Sequence, residues 1–314
     1  MPGTLITIYY LVAGGVLLWF GAEIFVRSSS ALAIRMGLTP LVVGLTVVAF
    51  GTSSPELGVS LISIFRDMGG VATGNVVGSN IANIGLILGL SALIRPIRIE
   101  PKLLQLDVPI VVAVSLLVTF LFDDEVLSRL EAGFLVCLLV GYILLSLRKS
   151  GRELDVKTSP VGTSTGRRPL GIVLGLILAG LAMLVMGSFA FVNGAEDLAI
   201  RLGVSPAIVG LTLVAVGTSL PEAATSVVAA WRGQGDIAVG NLVGSNLFNL
   251  LAILGVTGLV RPVVRGQVSM VSFAVMIGLA IVLLPLMRSG FQVSRREGAA
   301  LLLVYAAYVY WLIP

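Results

Sequence analysis

The chain has 314 residues, of which 57% are hydrophobic and 11% are charged, and its mean hydropathy is +1.07. Soluble domains carry about 25% charged residues, so this composition excludes a soluble protein and indicates an integral membrane protein whose net charge of +4 reports topology rather than a nucleic-acid partner. Histidine is absent and cysteine occurs once, which excludes His metal ligands, His-based proton relays, Ser–His or Cys–His catalytic pairs and an internal disulfide.

Apolar stretches follow one another along the chain, each close to the roughly 20 residues that a spanning helix needs. The first lacks the basic flank and the small-residue cleavage site of a signal peptide, and we interpret it as a retained span. The pattern therefore predicts an all-α membrane protein with ten transmembrane helices. The predicted spans cover residues 4–26, 38–65, 70–92, 104–122, 127–147, 170–192, 204–230, 237–259, 268–287 and 298–313.

One long polar stretch, Arg148–Arg168, interrupts this series and has the composition of a flexible linker. It divides the chain into a first five-helix repeat (1–148), a linker (149–168) and a second five-helix repeat (169–314). With ten spans, 15 of the 20 Lys and Arg residues lie on the same side of the membrane as this linker. The positive-inside rule then predicts a cytoplasmic linker and two external termini.

The two halves are internal copies. Residues 37–97 match residues 203–263 without a gap at a constant offset of 166 positions, with about half of the positions identical. The segments GLTPLVVGLTVVAFGTSSPE and GVSPAIVGLTLVAVGTSLPE correspond, as do GNVVGSNIAN and GNLVGSNLFN. Because an odd number of predicted spans separates the copies, they enter the membrane from opposite faces. Substrate sites in such inverted repeats lie near the midplane, where the copies meet.

Each copy carries a glutamate next to a proline inside a hydrophobic span: Pro55-Glu56 and Pro221-Glu222. Proline removes a backbone hydrogen bond and interrupts the helix, so we expect broken spans with loosened carbonyls near Ala49 and Ala215. A carboxylate at mid-membrane costs at least about 2.5 kcal/mol on insertion scales. Its occurrence at two equivalent positions favours a functional role.

Helical spacing places further oxygen atoms beside these carboxylates. Thr52 and Ser53 precede Glu56 by four and three residues, which puts them on its face. In the next span Asn75, Ser79 and Asn83 recur every four residues. A set of carboxylate, amide and hydroxyl oxygens without nitrogen or sulfur ligands is typical of a hard cation such as Ca²⁺. The second copy supplies Thr218, Ser219, Glu222, Asn241, Ser245 and Asn249.

The paired GTSxPE and GNxxGSN elements resemble the sodium/calcium exchanger branch of the calcium/cation antiporter family, prokaryotic type, over essentially the whole chain. The resemblance implies a transporter, not an enzyme, that exchanges Na⁺ for Ca²⁺ across a plasma (inner) membrane by alternating access, with the glycine-rich first and sixth spans sliding across the core. If the calcium-loaded and sodium-loaded states differ by one charge, the exchange is electrogenic. It implies Ca²⁺ and Na⁺ as transported substrates, the bilayer as surroundings, and no cofactor, nucleic acid or obligate protein partner. The implied ion ligands are Ala49, Thr52, Ser53, Glu56, Ser79 and Asn83 with Ala215, Thr218, Ser219, Glu222, Ser245 and Asn249.

Two positions refine this expectation. Potassium-dependent members of the family have an acidic residue where Asn249 stands, so potassium-independent exchange is implied. Proton-coupled members tend to have Glu-His in place of Gly78-Ser79 and Gly244-Ser245, which favours sodium here.

Other interpretations remain open. A Ca²⁺/H⁺ antiporter has the same fold, and a passive cation channel needs no counter-ion. An intramembrane enzyme could use the two acids as general acid and base, although no nucleophile motif accompanies them. In a purely structural interpretation, protonated glutamates bridge helices and the Asn side chains hold helices together, each bond contributing about 0.6 kcal/mol.

Overall fold

The computed structural model describes residues 2–154, 169–202 and 217–312, and within them the chain is almost entirely helical. Its helices are α1 (Pro2–Met36), α2 (Pro40–Thr52), α3 (Ser54–Phe65), α4 (Gly69–Ile94), α5 (Leu103–Leu121), α6 (Arg129–Leu154), α7 (Leu170–Arg201), α8 (Leu220–Trp231), α9 (Gly235–Val260), α10 (Met270–Arg288) and α11 (Arg295–Leu312). Four two-residue strands lie between helices: β1 (Ile97–Arg98), β2 (Val126–Leu127), β3 (Val263–Val264) and β4 (Gln292–Val293).

Seven helices of the described part are long and apolar enough to cross a membrane: α1, α4, α5, α6, α7, α9 and α10. The pair α2 and α3 forms an eighth, broken span with a bend of 43°. The prediction of an all-helical membrane protein is thereby confirmed. Of the predicted span 204–230, residues 204–216 lie outside the described residues, and its last part is α8.

Three predicted helix ends are wrong. Helix α1 continues to Met36 and α7 to Arg201, about ten residues past the predicted ends, because amphipathic segments continue both helices beyond the apolar stretch. Leu32 and Ala33, for example, are buried on α1. Helix α6 continues to Leu154 into the predicted linker, since Leu, Arg, Lys and Glu are good helix formers. The rest of that linker lies outside the described residues.

Helices α1 and α7 pack against each other backbone to backbone in antiparallel orientation. A Cβ atom on Gly14 would lie 2.5 Å from the backbone nitrogen of Phe191, and one on Gly180 would lie 2.8 Å from that of Phe25. Only glycine fits such an approach, as in small-residue interfaces of membrane helices. Gly21 and Gly187 make the same kind of contact, whereas Gly171 and Gly175 have no neighbour within 4 Å.

The contacts between the halves follow the sequence repeat. Strand β1 pairs with β4 and β2 pairs with β3, both antiparallel. The offset of 166 positions converts β1 into β3 and β2 into β4, so each of these pairs is the image of the other. Each half thus contributes one strand to each pair, and the two pairs are related by the sequence repeat. Helices α4 and α9, which are the most buried spans, lie between them.

Candidate cation site

The two proline-containing breaks have the same geometry. Ser53 ends α2 with φ −83° and ψ 5°, and Ser219 precedes α8 with φ −86° and ψ 4°. Pro55 and Pro221 then occupy the first turn of the following helix, where their missing N–H is tolerated. The predicted interruption is confirmed for the first span, whereas residues 204–216 of the second lie outside the described residues.

Glu56 and Glu222 each lie in the first turn of the helix that follows the break, and each is only 1% exposed. The N-terminus of a helix carries a positive partial charge that stabilises a carboxylate there. The breaks therefore provide a second helix N-terminus inside the protein, which partly offsets the cost of burying each acid.

Each carboxylate is held by a serine from the opposite half. Ser53 Oγ donates to Glu222 Oε1 at 2.8 Å, and Ser219 Oγ lies 3.2 Å from both Glu56 Oε1 and Ser79 Oγ. Ser53 and Ser219 precede their own glutamates in a Ser-x-x-Glu pattern typical of a capping box. Neither serine side chain caps its helix, and the reciprocal contacts instead place the two carboxylates in one centre.

Asn241 links α9 to both halves of the site. The Oδ1 atom of Asn241 accepts the hydroxyl of Thr52 at 3.0 Å. The Nδ2 atom of Asn241 donates to Ser226 Oγ at 3.0 Å and to the Glu222 carbonyl at 3.5 Å. Both ends of the amide are therefore engaged with protein atoms. Asn241 thus positions the helix that carries Glu222.

Asn75 makes the equivalent contacts from α4. Its Nδ2 donates to Ser60 Oγ at 3.0 Å and to the Glu56 carbonyl at 3.1 Å, and its Oδ1 lies 3.5 Å from Thr218 Oγ1. For Asn75 and Asn241 these contacts match the structural interpretation of the polar stripes. Ser60 and its counterpart Ser226 are site residues that the motifs did not indicate, although each follows a glutamate by four residues on the same helix face.

Several buried oxygens of the predicted ligand residues have no hydrogen-bond partner among the described residues. These atoms are Glu56 Oε2, Glu222 Oε2, Asn83 Oδ1, Ser245 Oγ and Asn249 Oδ1. Leaving such atoms unsatisfied in a membrane interior is costly, and a cation bound between the two glutamates would satisfy their free carboxylate oxygens. Asn83 is the first residue of a π-helical turn in α4, and Asn249 lies within a π-helical turn in α9. Such turns are frequent at functional sites, and the sequence pattern did not indicate them.

The expectation of loosened carbonyls is wrong for Ala49. Its carbonyl accepts the N–H of Ser53 at 3.0 Å. The carbonyl deprived by Pro55 is that of Gly51, four residues earlier, and it accepts the hydroxyl of Ser54 at 2.7 Å. Ala215 lies outside the described residues.

The chemistry of this centre suits a hard cation. Within the described residues no three His, Cys, Asp or Glu side chains cluster, so two carboxylates and neutral oxygens would complete a coordination shell. Gly244 allows α9 to approach α2 closely here, because a Cβ at this position would lie 2.5 Å from the Leu45 carbonyl oxygen. Buried acids within membrane helices, in a fold of repeated halves, are typical of secondary cation transporters.

The chain belongs to the sodium/calcium exchanger family. The family's sequence profile, described as sodium/calcium exchanger protein, matches residues 6–148 and 172–313. The resemblance drawn from the paired motifs is thereby confirmed, and members of this family are exchangers rather than enzymes.

Relatives match over nearly their whole length. Sodium/calcium exchanger MaX1 of Methanosarcina acetivorans is 34% identical over 344 residues, covering 97% of this chain and 98% of its own. Inner membrane protein YrbG of Escherichia coli is 34% identical over 317 residues, covering 97% of both chains. A structure of the sodium-calcium exchanger NCX_Mj has a TM-score of 0.84 at 29% identity, covering 98% of both chains. The protein is therefore an integral membrane protein with the fold of this exchanger.

Proposed function

We propose that this protein exchanges Na⁺ for Ca²⁺ across the plasma membrane through one centre that the two ions occupy in turn. The observation that carries the proposal is the reciprocal pairing of Ser53 with Glu222 and of Ser219 with Glu56. It brings two acids from opposite halves together while one oxygen of each has no partner among the described residues.

The proposed topology has ten spans in two inverted five-helix repeats, with a cytoplasmic linker at 149–168 and external termini. Two observations support it. Helices α1 and α7, which correspond in the repeat, pack in antiparallel orientation, and the paired strands exchange under the same offset. Any two-fold relation between the halves exchanges the strand pairs, and an inverted repeat also makes corresponding spanning helices antiparallel.

Calcium ligation is assigned chiefly to Glu56 and Glu222, with Thr52 and Thr218 completing the shell. The Thr52 hydroxyl donates to protein oxygens, at 3.1 Å to the Val48 carbonyl and at 3.0 Å to Asn241, which favours its carbonyl as the ligand. Ca²⁺ takes 6 to 8 oxygens, so the remaining positions fall to neutral groups. Sodium ions are assigned to overlapping positions built by Ser53, Ser79, Ser219, Ser245 and the carboxylates. The family resemblance adds Asn83, Asn249 and the carbonyls of Ala49 and Ala215. The Ala49 carbonyl accepts the Ser53 N–H, so an ion there would use its second lone pair.

Exchange follows from electrostatics. Two ionised carboxylates give the centre a charge of about −2, which cannot cross a hydrophobic barrier without cations. One Ca²⁺ or several Na⁺ ions neutralise it, and each set excludes the other because the ligands overlap. Where the calcium-loaded and sodium-loaded states differ by one charge, turnover is electrogenic. The membrane potential then contributes about 2.3 kcal/mol per 100 mV to each exchange cycle. An inward sodium gradient then expels calcium.

The test is radiolabelled Ca²⁺ uptake into sodium-loaded proteoliposomes. Uptake that requires internal sodium supports the proposal, whereas uptake driven by a pH jump identifies a Ca²⁺/H⁺ antiporter and uptake without any gradient identifies a channel. Potassium should have no effect, as Asn249 implies.

Glu56→Gln and Glu222→Gln should each abolish calcium flux. Glu297→Gln, a change in the first turn of α11, is the control that should retain it. Unchanged flux in either site variant contradicts the assignment.

A further inference from the structure

One end of α8 is tied to α1 by an ionic and an aromatic contact. Arg232 donates from Nε and Nη2 to the two carboxylate oxygens of Glu23. One turn earlier on α1, the ring of Trp19 meets that of Trp231 at a centroid distance of 5.6 Å and an interplanar angle of 88°. Arg27 Nε also lies 2.8 Å from Glu23 Oε1. We refer to Trp19, Glu23, Trp231 and Arg232 as the clasp.

The clasp joins the two halves, and it has no counterpart at the positions that the repeat relates to it. The repeat offset converts Trp19 and Glu23 into Val185 and Phe189, and it converts Trp231 and Arg232 into Phe65 and Arg66. Neither an ion pair nor an indole pair can form from those residues. The clasp therefore breaks the two-fold relation that the ion centre and the strands obey.

The clasp restrains more than α1 alone. Because α1 and α7 meet backbone to backbone at their glycines, a tie on α1 also restrains α7. The other helix that the clasp contacts, α8, carries Glu222 in its first turn. The clasp thus joins the α1–α7 pair to a helix of the ion centre at one membrane face, which is the cytoplasmic face in the proposed topology.

We propose that the clasp holds the α1–α7 pair in the arrangement seen here and so biases the equilibrium between the two access states. The proposal rests on the proposed function, since it requires two such states. A bidentate Arg–carboxylate contact is among the stronger charge-assisted hydrogen bonds. The side chain of Glu23 is only 14% exposed and that of Arg232 is 34% exposed. The contact is present in this arrangement, and a contact that is absent from the other access state stabilises only this one.

The bias has a measurable signature. A transporter binds calcium from one face only in the fraction of molecules open to that face, so the half-saturating concentration rises as this fraction falls. A shift in the access equilibrium raises that concentration at one face and lowers it at the other. The ratio between the two faces therefore changes by the same factor as the equilibrium constant.

The experiment measures half-saturating Ca²⁺ at both faces, with the purified full chain in proteoliposomes of each orientation. Glu23→Gln should change the ratio about two- to fivefold, the range expected for a partly exposed ion pair, because the contact of Trp19 with Trp231 stays in place. Arg66→Gln, the repeat counterpart of a change at Arg232, should leave the ratio unchanged. The double exchange E23R with R232E should restore it.

A second readout does not depend on transport. With the exposed Cys137 replaced by Ala, spin labels at Ala31 of α1 and Arg98 of β1, both exposed, report the distance from α1 to the core. Glu23→Gln should add a second distance population that the E23R/R232E exchange removes. An unchanged distance distribution, or a ratio that moves equally with Arg66→Gln, overturns the proposal. If the unsubstituted protein shows no sodium-dependent uptake, the proposed function is refuted. The distance measurement then still tests whether the clasp holds α1 against the core.

Discussion

Replacing Ser53 by alanine tests the reciprocal pairing of serine and carboxylate directly. The Ser53 hydroxyl is fully buried and donates at 2.8 Å to Glu222 Oε1. Alanine leaves that oxygen without its donor and removes one oxygen from the centre. The acid then loses its orientation toward the shared cation, so calcium binding should weaken while the fold remains intact.

The expected size follows from the kind of hydrogen bond that is lost. Hydrogen bonds to charged groups contribute about 1.5–3 kcal/mol, which corresponds to a loss of calcium affinity of about tenfold or more at 1.4 kcal/mol per factor of ten. Titration calorimetry with Ca²⁺ in detergent and the half-saturating Ca²⁺ concentration for uptake should report the same factor. Ser53→Thr retains the hydroxyl and should recover most of the affinity.

Ser54 provides a matched control in the next position. Its hydroxyl donates to the Gly51 carbonyl at 2.7 Å and not to a carboxylate. Ser54→Ala therefore removes no contact to either acid and should change calcium affinity by less than about threefold, or roughly 0.7 kcal/mol. Ser219→Ala should weaken binding less than Ser53→Ala, because one hydroxyl proton is shared between Glu56 and Ser79 at 3.2 Å each. Equal effects of Ser53→Ala and Ser54→Ala would refute this reasoning.

Two further predictions concern selectivity and helix packing. Asn249→Asp adds a negative charge to the centre and should make calcium uptake respond to potassium, as measured by replacing internal Na⁺ with mixtures of Na⁺ and K⁺; an unchanged ion dependence speaks against the role of Asn249. Gly180→Ala forces a Cβ to within 2.8 Å of the Phe25 backbone nitrogen and should destabilise the protein by about 1–3 kcal/mol, seen as a lower melting temperature in detergent. Gly175→Ala, with open space around it, is the control, and equal melting temperatures would contradict the packing argument.

The broken spans were predictable because their cause is local. Pro55 cannot continue the hydrogen-bond ladder of the helix before it, whatever the surroundings, and the break lies at Ser53, two residues before this proline. The same local rule gave a wrong result for Ala49. Which carbonyl stays without a partner depends on the side chains nearby, and the Ser54 hydroxyl takes the one that the proline leaves.

The helix ends were harder to predict than the helices. Apolar residues mark the part of a helix that lipid or protein must cover, but α1 and α7 continue as amphipathic segments whose burial depends on neighbouring helices. The π-helical turns at Asn83 and Asn249 likewise leave no local signal. They belong to helices packed on all sides, where tertiary contacts decide the backbone register.

Composition, the spacing of apolar residues and the internal repeat determined by themselves that this is a helical membrane protein of two related halves with an acid in each. These properties depend on neighbouring positions or on the comparison of one half with the other. Tertiary structure alone decided that each carboxylate is held by a serine more than 160 positions away, and that Glu23 of the first half pairs with Arg232 of the second. The reason is that a hydrogen bond or ion pair acts over about 3 Å, and only the packing of the helices determines which side chains come that close.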